Sequence, residues 1–130
     1  MSMPTLSHAQ LRAHAEAWIG AWNRADVEAV LAVFSDDAEF VSTLAQPYTG
    51  SSLVRGKPAL RRYWQTALAD RPGLRFELIA AICDEPGQTV VVHYVAIQGG
   101  RRTRACEIMR FTDGVQVRGE ALYGAPDGMA

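Results

Sequence analysis

Apolar residues recur along this chain first at helical spacing and then, from residue 74 onward, in alternation. In LRAHAEAWIGAW, Leu11, Ala15, Trp18 and Trp22 fall on one helical stripe. Asn23-Arg24-Ala25 breaks that helix, and Asp26 can cap a second one, whose buried stripe is Val27, Val30, Leu31 and Phe34. Ser35-Asp36-Asp37 is expected to close it, and AEFVS, 38–42, is expected to be a short strand that includes Phe40 and Ser42. The stretch 43–56 carries Pro47, Gly50 and Gly56 and reads as a long loop. A third helix starts at Pro58, buries Leu60, Tyr63, Trp64, Ala67 and Leu68, and stops at Arg71-Pro72-Gly73. Four strands follow, over 74–83, 89–98, 103–111 and 115–124, joined by turns at Glu85-Pro86-Gly87, Gly99-Gly100 and Thr112-Asp113-Gly114. Helices followed by an antiparallel meander predict an α+β fold, with residues 1–130 forming one domain.

Composition narrows the function classes. With 130 residues, 48% of them hydrophobic, the chain can build a sizeable core. A formal net charge of -1 gives no electrostatic case for nucleic acid or a membrane surface. Apolar runs stay well short of the roughly 20 residues that span a bilayer, and the N-terminal stretch lacks the apolar centre of a signal peptide. Cys83 and Cys106 form neither a disulfide framework nor a metal-ligand spacing, which fits a reducing, cytoplasmic location. Motifs for phosphate loops, metal clusters or a Ser/His/Asp set are missing, so no cofactor is expected.

One residue breaks the strand pattern. In ACEIMRF, Glu107 shares a face with Ala105, Met109 and Phe111, the more apolar side of that strand. A buried carboxylate must be paired, protonated or wet. A two-residue turn at Asp113-Gly114 would set Glu107 opposite Glu120, whereas a three-residue loop with left-handed Gly114 sets it opposite Gly119. The second register adds Val115, Val117, Ala121 and Tyr123 to its face and sends Arg110, Arg118 and Glu120 to the other, so it is the one expected. Glu107 is then a candidate general acid or base; a structural ion pair with an arginine, or a hydrogen bond to an indole, is the alternative. His93, in TVVVHYVAIQ, is either a proton-transfer partner for Glu107 or a hydrogen-bonded sheet histidine. Tyr94 points to the opposite side, so only one of the two can meet Glu107. Arg101, Arg102 and Arg104 read as a solvated face.

Longer stretches resemble a known family. NRADVEAVLAVFSDDA, 23–38, is similar to the second helix and first strand of nuclear transport factor 2-like proteins. That superfamily includes the ketosteroid isomerases and the SnoaL-like polyketide cyclases. GKPALRRYWQTAL resembles their third helix, and EIMRFTDG with VRGEALYG their final hairpin. The resemblance implies a cystatin-like α+β roll: three N-terminal helices cover a cone-shaped, curved antiparallel sheet around an apolar pocket, and homodimers are common. Glu107 stands where the isomerases keep a protonated, hydrogen-bond-donating aspartic acid. Their catalytic tyrosine matches Trp18, two pocket tyrosines match Phe34 and Trp64, the general-base aspartate matches Ser42, and a C-terminal tryptophan matches Tyr123. The shape-forming aromatics are thus kept, while the base and main phenol are not, which argues against steroid isomerisation.

The resulting expectation is a protein that binds a small apolar molecule, polyketide- or terpenoid-like. Isomerase, cyclase or lyase chemistry would run by proton transfer through Glu107, with His93 as a second catalytic candidate. Trp18, Trp22, Phe34, Phe40, Ser42, Tyr63, Trp64, Met109 and Tyr123 would form the substrate site. A non-catalytic binding protein or a dimeric interaction module on the same fold is the alternative.

Overall fold

The computed structural model describes residues 4–126. Ser7 opens helix α1 (His8–Asn23) with a reciprocal cap: its hydroxyl accepts from the Gln10 amide while the Gln10 side chain accepts from the Ser7 amide. The α1 stripe Leu11, Ala15, Trp18 and Trp22 is buried as its spacing predicts. At its end, the Asn23 amide clamps a strand backbone: Nδ2 donates to the Phe76 carbonyl at 2.9 Å, and Oδ1 accepts from the Phe76 amide at 2.7 Å. Asp26 caps helix α2 (Val27–Leu31) by accepting from the Ala29 amide at 3.0 Å.

The first difference from the sequence expectation lies here. Helix α2 has one full turn only, and Phe34, placed on its stripe, instead begins strand β1 (Phe34–Val41). The Gln116 amide donates to the Val33 carbonyl at 2.8 Å and draws the chain into the sheet. Ser35, Asp36 and Asp37 therefore lie in β1 rather than at a helix end. The stretch after β1 contains a 3₁₀ turn (Thr43–Ala45), a short helix α3 (Gln46–Thr49) and strand β2 (Leu53–Arg55). Helix α4 (Lys57–Ala69) starts with Pro58 in its first turn, as predicted.

Strands β3 (Arg75–Asp84), β4 (Thr89–Gln98), β5 (Arg101–Thr112) and β6 (Val115–Pro126) complete a six-stranded sheet of order β2-β1-β6-β5-β4-β3. All pairs are antiparallel except β1 with β6, which run parallel. The helices cover one face and bury an aromatic core against it.

The β5–β6 hairpin corrects the expected register. Asp113 and Gly114 both have positive φ, 54° and 80°, so the turn has two residues. A bulge at Val117 then shifts the pairing, and Glu107 faces Ala121 instead of Gly119. Ala121 and Tyr123 keep the side expected of them. The bulge sends Gln116, fully buried, to the inner face, and leaves Val115 42% exposed. No helix among the described residues is long and apolar enough to cross a membrane.

Candidate active site

Between the helices and the concave side of the sheet lies a cavity of about 90 Å³. Trp18 and Trp22 reach it from α1, Tyr63 and Trp64 from α4, Phe40 from β1, and Phe76, Tyr94, Glu107 and Tyr123 from β3 to β6. The rings support each other: Trp18 stacks on Phe76 at 5.2 Å, while Trp64 meets Trp22 edge-on at 5.4 Å and Phe40 at 5.3 Å. Leu44, Tyr48, Leu68, Arg71 and Leu74 also line it.

Glu107 is 2% exposed, and among the described residues its carboxyl has no hydrogen-bond or ion-pair partner. Removal from water, with a smaller push from the charge of Glu120, raises its pKa from 4.5 to about 8. Among the described residues neither an ion pair nor an indole hydrogen bond holds Glu107, and the carboxyl is protonated at neutral pH. Gly119 supplies its room: a Cβ there would lie 2.8 Å from Oε2 of Glu107 and 3.0 Å from Cδ1 of Phe40.

Phenols share the cavity lining with the carboxyl. Tyr94 is deeply buried, and burial, reinforced by the nearby Glu107 charge, raises its pKa well above the ordinary value. Burial pushes Tyr63 up to about 12, and it raises Tyr123 as well. The Tyr123 hydroxyl and Ser42 Oγ share a hydrogen bond at 3.2 Å, and Ser42 Oγ also accepts from the Leu44 amide. All three phenols are thus neutral donors at physiological pH. The indole N–H of Trp22 is buried without an acceptor among the described residues.

Most of the residues expected at the site meet there, with four differences. His93 lies on the outer sheet face beside Glu77, Val95, Arg102 and Arg104, paired across from Cys106, so it cannot exchange a proton with Glu107 through the sheet. Tyr94 occupies the inner position instead. Phe34 is buried behind Trp64 at 5.6 Å, outside the cavity lining. Met109 borders a separate cavity with His14, Val33 and Gln116. Ser42 stands behind Tyr123 and acts through its hydroxyl. Tyr94 and Arg71 are the principal residues that sequence reasoning did not assign. Tyr94 could not be chosen because both faces of its strand are apolar, and Arg71 read as a helix stop.

Comparison with known proteins agrees with this architecture. Residues 15–119 match the SnoaL-like domain family, and the chain belongs to it. A SnoaL-like protein of unknown function from Burkholderia thailandensis is 30% identical, with 94% of this chain and 100% of that one covered, at a TM-score of 0.81. An NTF-2 like protein of unknown function from Burkholderia xenovorans is 21% identical over 92% of this chain and 87% of its own, at 0.73. SalBIII, an epoxide hydrolase/cyclase-like enzyme with a role in pyran ring formation in the polyether salinomycin, is 16% identical over 91% and 93%, at 0.74. The last two likenesses are of fold. No curated protein matches significantly.

Proposed function

We propose that this protein is an enzyme that binds a small, largely apolar molecule and performs cofactor-independent acid/base chemistry through Glu107. Isomerisation, cyclisation or elimination on a polyketide- or terpenoid-like skeleton is the reaction class. The observation that carries the reading is a buried carboxylic acid, without a partner among the described residues, facing an aromatic cavity with its pKa raised to about 8. A general acid or base works best when its pKa lies near the operating pH. At pH 7 about nine carboxyls in ten would be protonated, ready to donate to a ligand oxygen, and the rest could accept a proton.

Tyr94 and Tyr123 provide neutral donors beside the carboxyl, a suitable setting for an oxygen on which negative charge develops. Steroid isomerisation is disfavoured because Ser42, at the place of the isomerases' base, is a buried hydroxyl engaged with Tyr123. A panel of small ketones, enones and epoxides incubated with the protein in heavy water tests the reading by mass spectrometry. Conversion or deuterium uptake is expected with the wild type and not with Glu107→Gln. Equal conversion by both forms would contradict it.

A second reading, binding without turnover, is favoured by one feature: among the described residues Glu107 is the only carboxyl lining the cavity, and no histidine joins it. In either case a homodimer through the outer sheet face is expected, where Ile82 and Leu122 are exposed. Sedimentation equilibrium checks that assembly.

A further inference from the structure

Arg71 is held at the rim of the aromatic cavity by main-chain bonds on both sides. Its amide donates to the Leu68 carbonyl at 3.0 Å, and its carbonyl accepts from the Leu74 amide at 3.2 Å. Among the described residues, this half-buried side chain is the one cationic group lining the cavity. Arg24, Arg55, Lys57, Arg61, Arg102 and Arg118 each have a carboxylate within 4.0 Å, but Arg71 has none among the described residues. The adjacent Asp70 accepts from the Tyr48 hydroxyl at 2.8 Å, and the Arg71 guanidinium lies beside that same hydroxyl. Burial raises the Tyr63 and Tyr123 phenols, and the Arg71 charge partly opposes that rise, so the guanidinium lies within electrostatic reach of the cavity interior.

A guanidinium over an apolar hollow, with a phenol beside it but no paired carboxylate among the described residues, presents a fork of donors matched to a ligand anion. The geometry points to a small organic carboxylate as the ligand class. Its hydrocarbon body lies among Trp18, Phe40, Trp64 and Phe76, and its carboxylate pairs with Arg71 at the mouth. This inference rests on the cavity being the binding site, as in the function proposed above, and adds the charge and size of what enters. A cavity of about 90 Å³ is smaller than the roughly 150 Å³ apolar cavity that accepts benzene, so the enclosed part of the ligand is a short branched chain and any larger polyketide- or terpenoid-like body extends into the open mouth. Glu107, neutral at the inner end, does not repel such an anion.

The test compares 3-methylbutanoate with its uncharged analogue 3-methylbutanamide, with binding followed by calorimetry and by the fluorescence of the cavity tryptophans. The wild type is expected to bind the acid about tenfold more tightly than the amide. Arg71→Gln should bring the acid down to the affinity of the amide without changing the latter, and Arg71→Lys should retain part of the preference. Because Arg71 lies at the rim, these variants should keep the wild-type melting temperature. Equal affinities in the wild type, a preference that survives in Arg71→Gln, or failure of both probes to bind would each overturn the assignment. Glu107→Gln should keep the preference for the acid. Loss of the carboxylate preference is therefore distinguishable from failure of the proton-transfer reading, which shows as unchanged conversion by Glu107→Gln.

Discussion

Gly119 and Glu107 are complementary across neighbouring strands: a Cβ on the glycine would approach the Glu107 carboxyl oxygen to 2.8 Å. The space that the carboxyl needs is made by a missing side chain. Gly119→Ala should therefore cost about 1–3 kcal/mol in stability, as overpacking does. In a Glu107→Ala background the same change should cost less, because the group it strikes has gone. Urea denaturation of the four variants in a double-mutant cycle measures that coupling.

Stability should also depend on pH through Glu107. The carboxyl titrates near 4.5 in the unfolded chain and at about 8 in the folded one. Between those values the folded state holds a proton that the unfolded state releases. The contribution is therefore full below about pH 4.5, declines as pH rises toward about 8, and is gone above it. Its full span is on the order of 5 kcal/mol as an upper bound. Glu107→Gln, which does not titrate, should match the wild type in acid and exceed it in stability at alkaline pH. Denaturant midpoints across the pH range check this.

The Asn23 clamp predicts a purely structural defect. Asn23→Leu leaves both the amide and the carbonyl of Phe76 unpaired in a half-buried place, and should cost about 2–4 kcal/mol. Asn23→Asp keeps the acceptor and loses the donor, so it should fall between. Because Phe76 lines the cavity, both variants should also weaken ligand binding, as measured by tryptophan fluorescence.

Two outer-face side chains should differ in their reach to Glu107. His93→Ala is expected to leave the Glu107 titration unchanged, since Glu120 and not His93 contributes to the raised pKa. Glu120→Gln should lower the Glu107 pKa slightly by removing a like charge. Carboxyl chemical shifts followed through pH distinguish the two outcomes.

Much of this arrangement is legible in the sequence, for identifiable reasons. The stripes Leu11-Ala15-Trp18-Trp22 and Leu60-Tyr63-Trp64 are long enough for helical spacing to be unambiguous, and they place the indoles over the sheet. Alternation in 105–111 orients Glu107 inward, an outcome insensitive to the hairpin register because the expected and observed pairings differ by two residues. What was not legible has local causes. Phe34 continues a helical spacing and also suits a strand, and only its pairing with Gln116 decides. The bulge at Val117 has no compositional mark, so Gln116 could not be expected inside. TVVVHYVAIQ is apolar on both faces, so alternation alone cannot say whether His93 or Tyr94 meets the cavity. Arg71 reads as a helix stop because its role at the rim depends on the turn that folds it back.

At physiological pH Glu107 is a neutral acid facing the cavity. Titration of its side-chain carboxyl by carbon-13 NMR, assigned by comparison with Glu107→Gln, tests this most directly. A pKa of about 8 is the result predicted. A value near 4.5, the ordinary glutamate range, would contradict it.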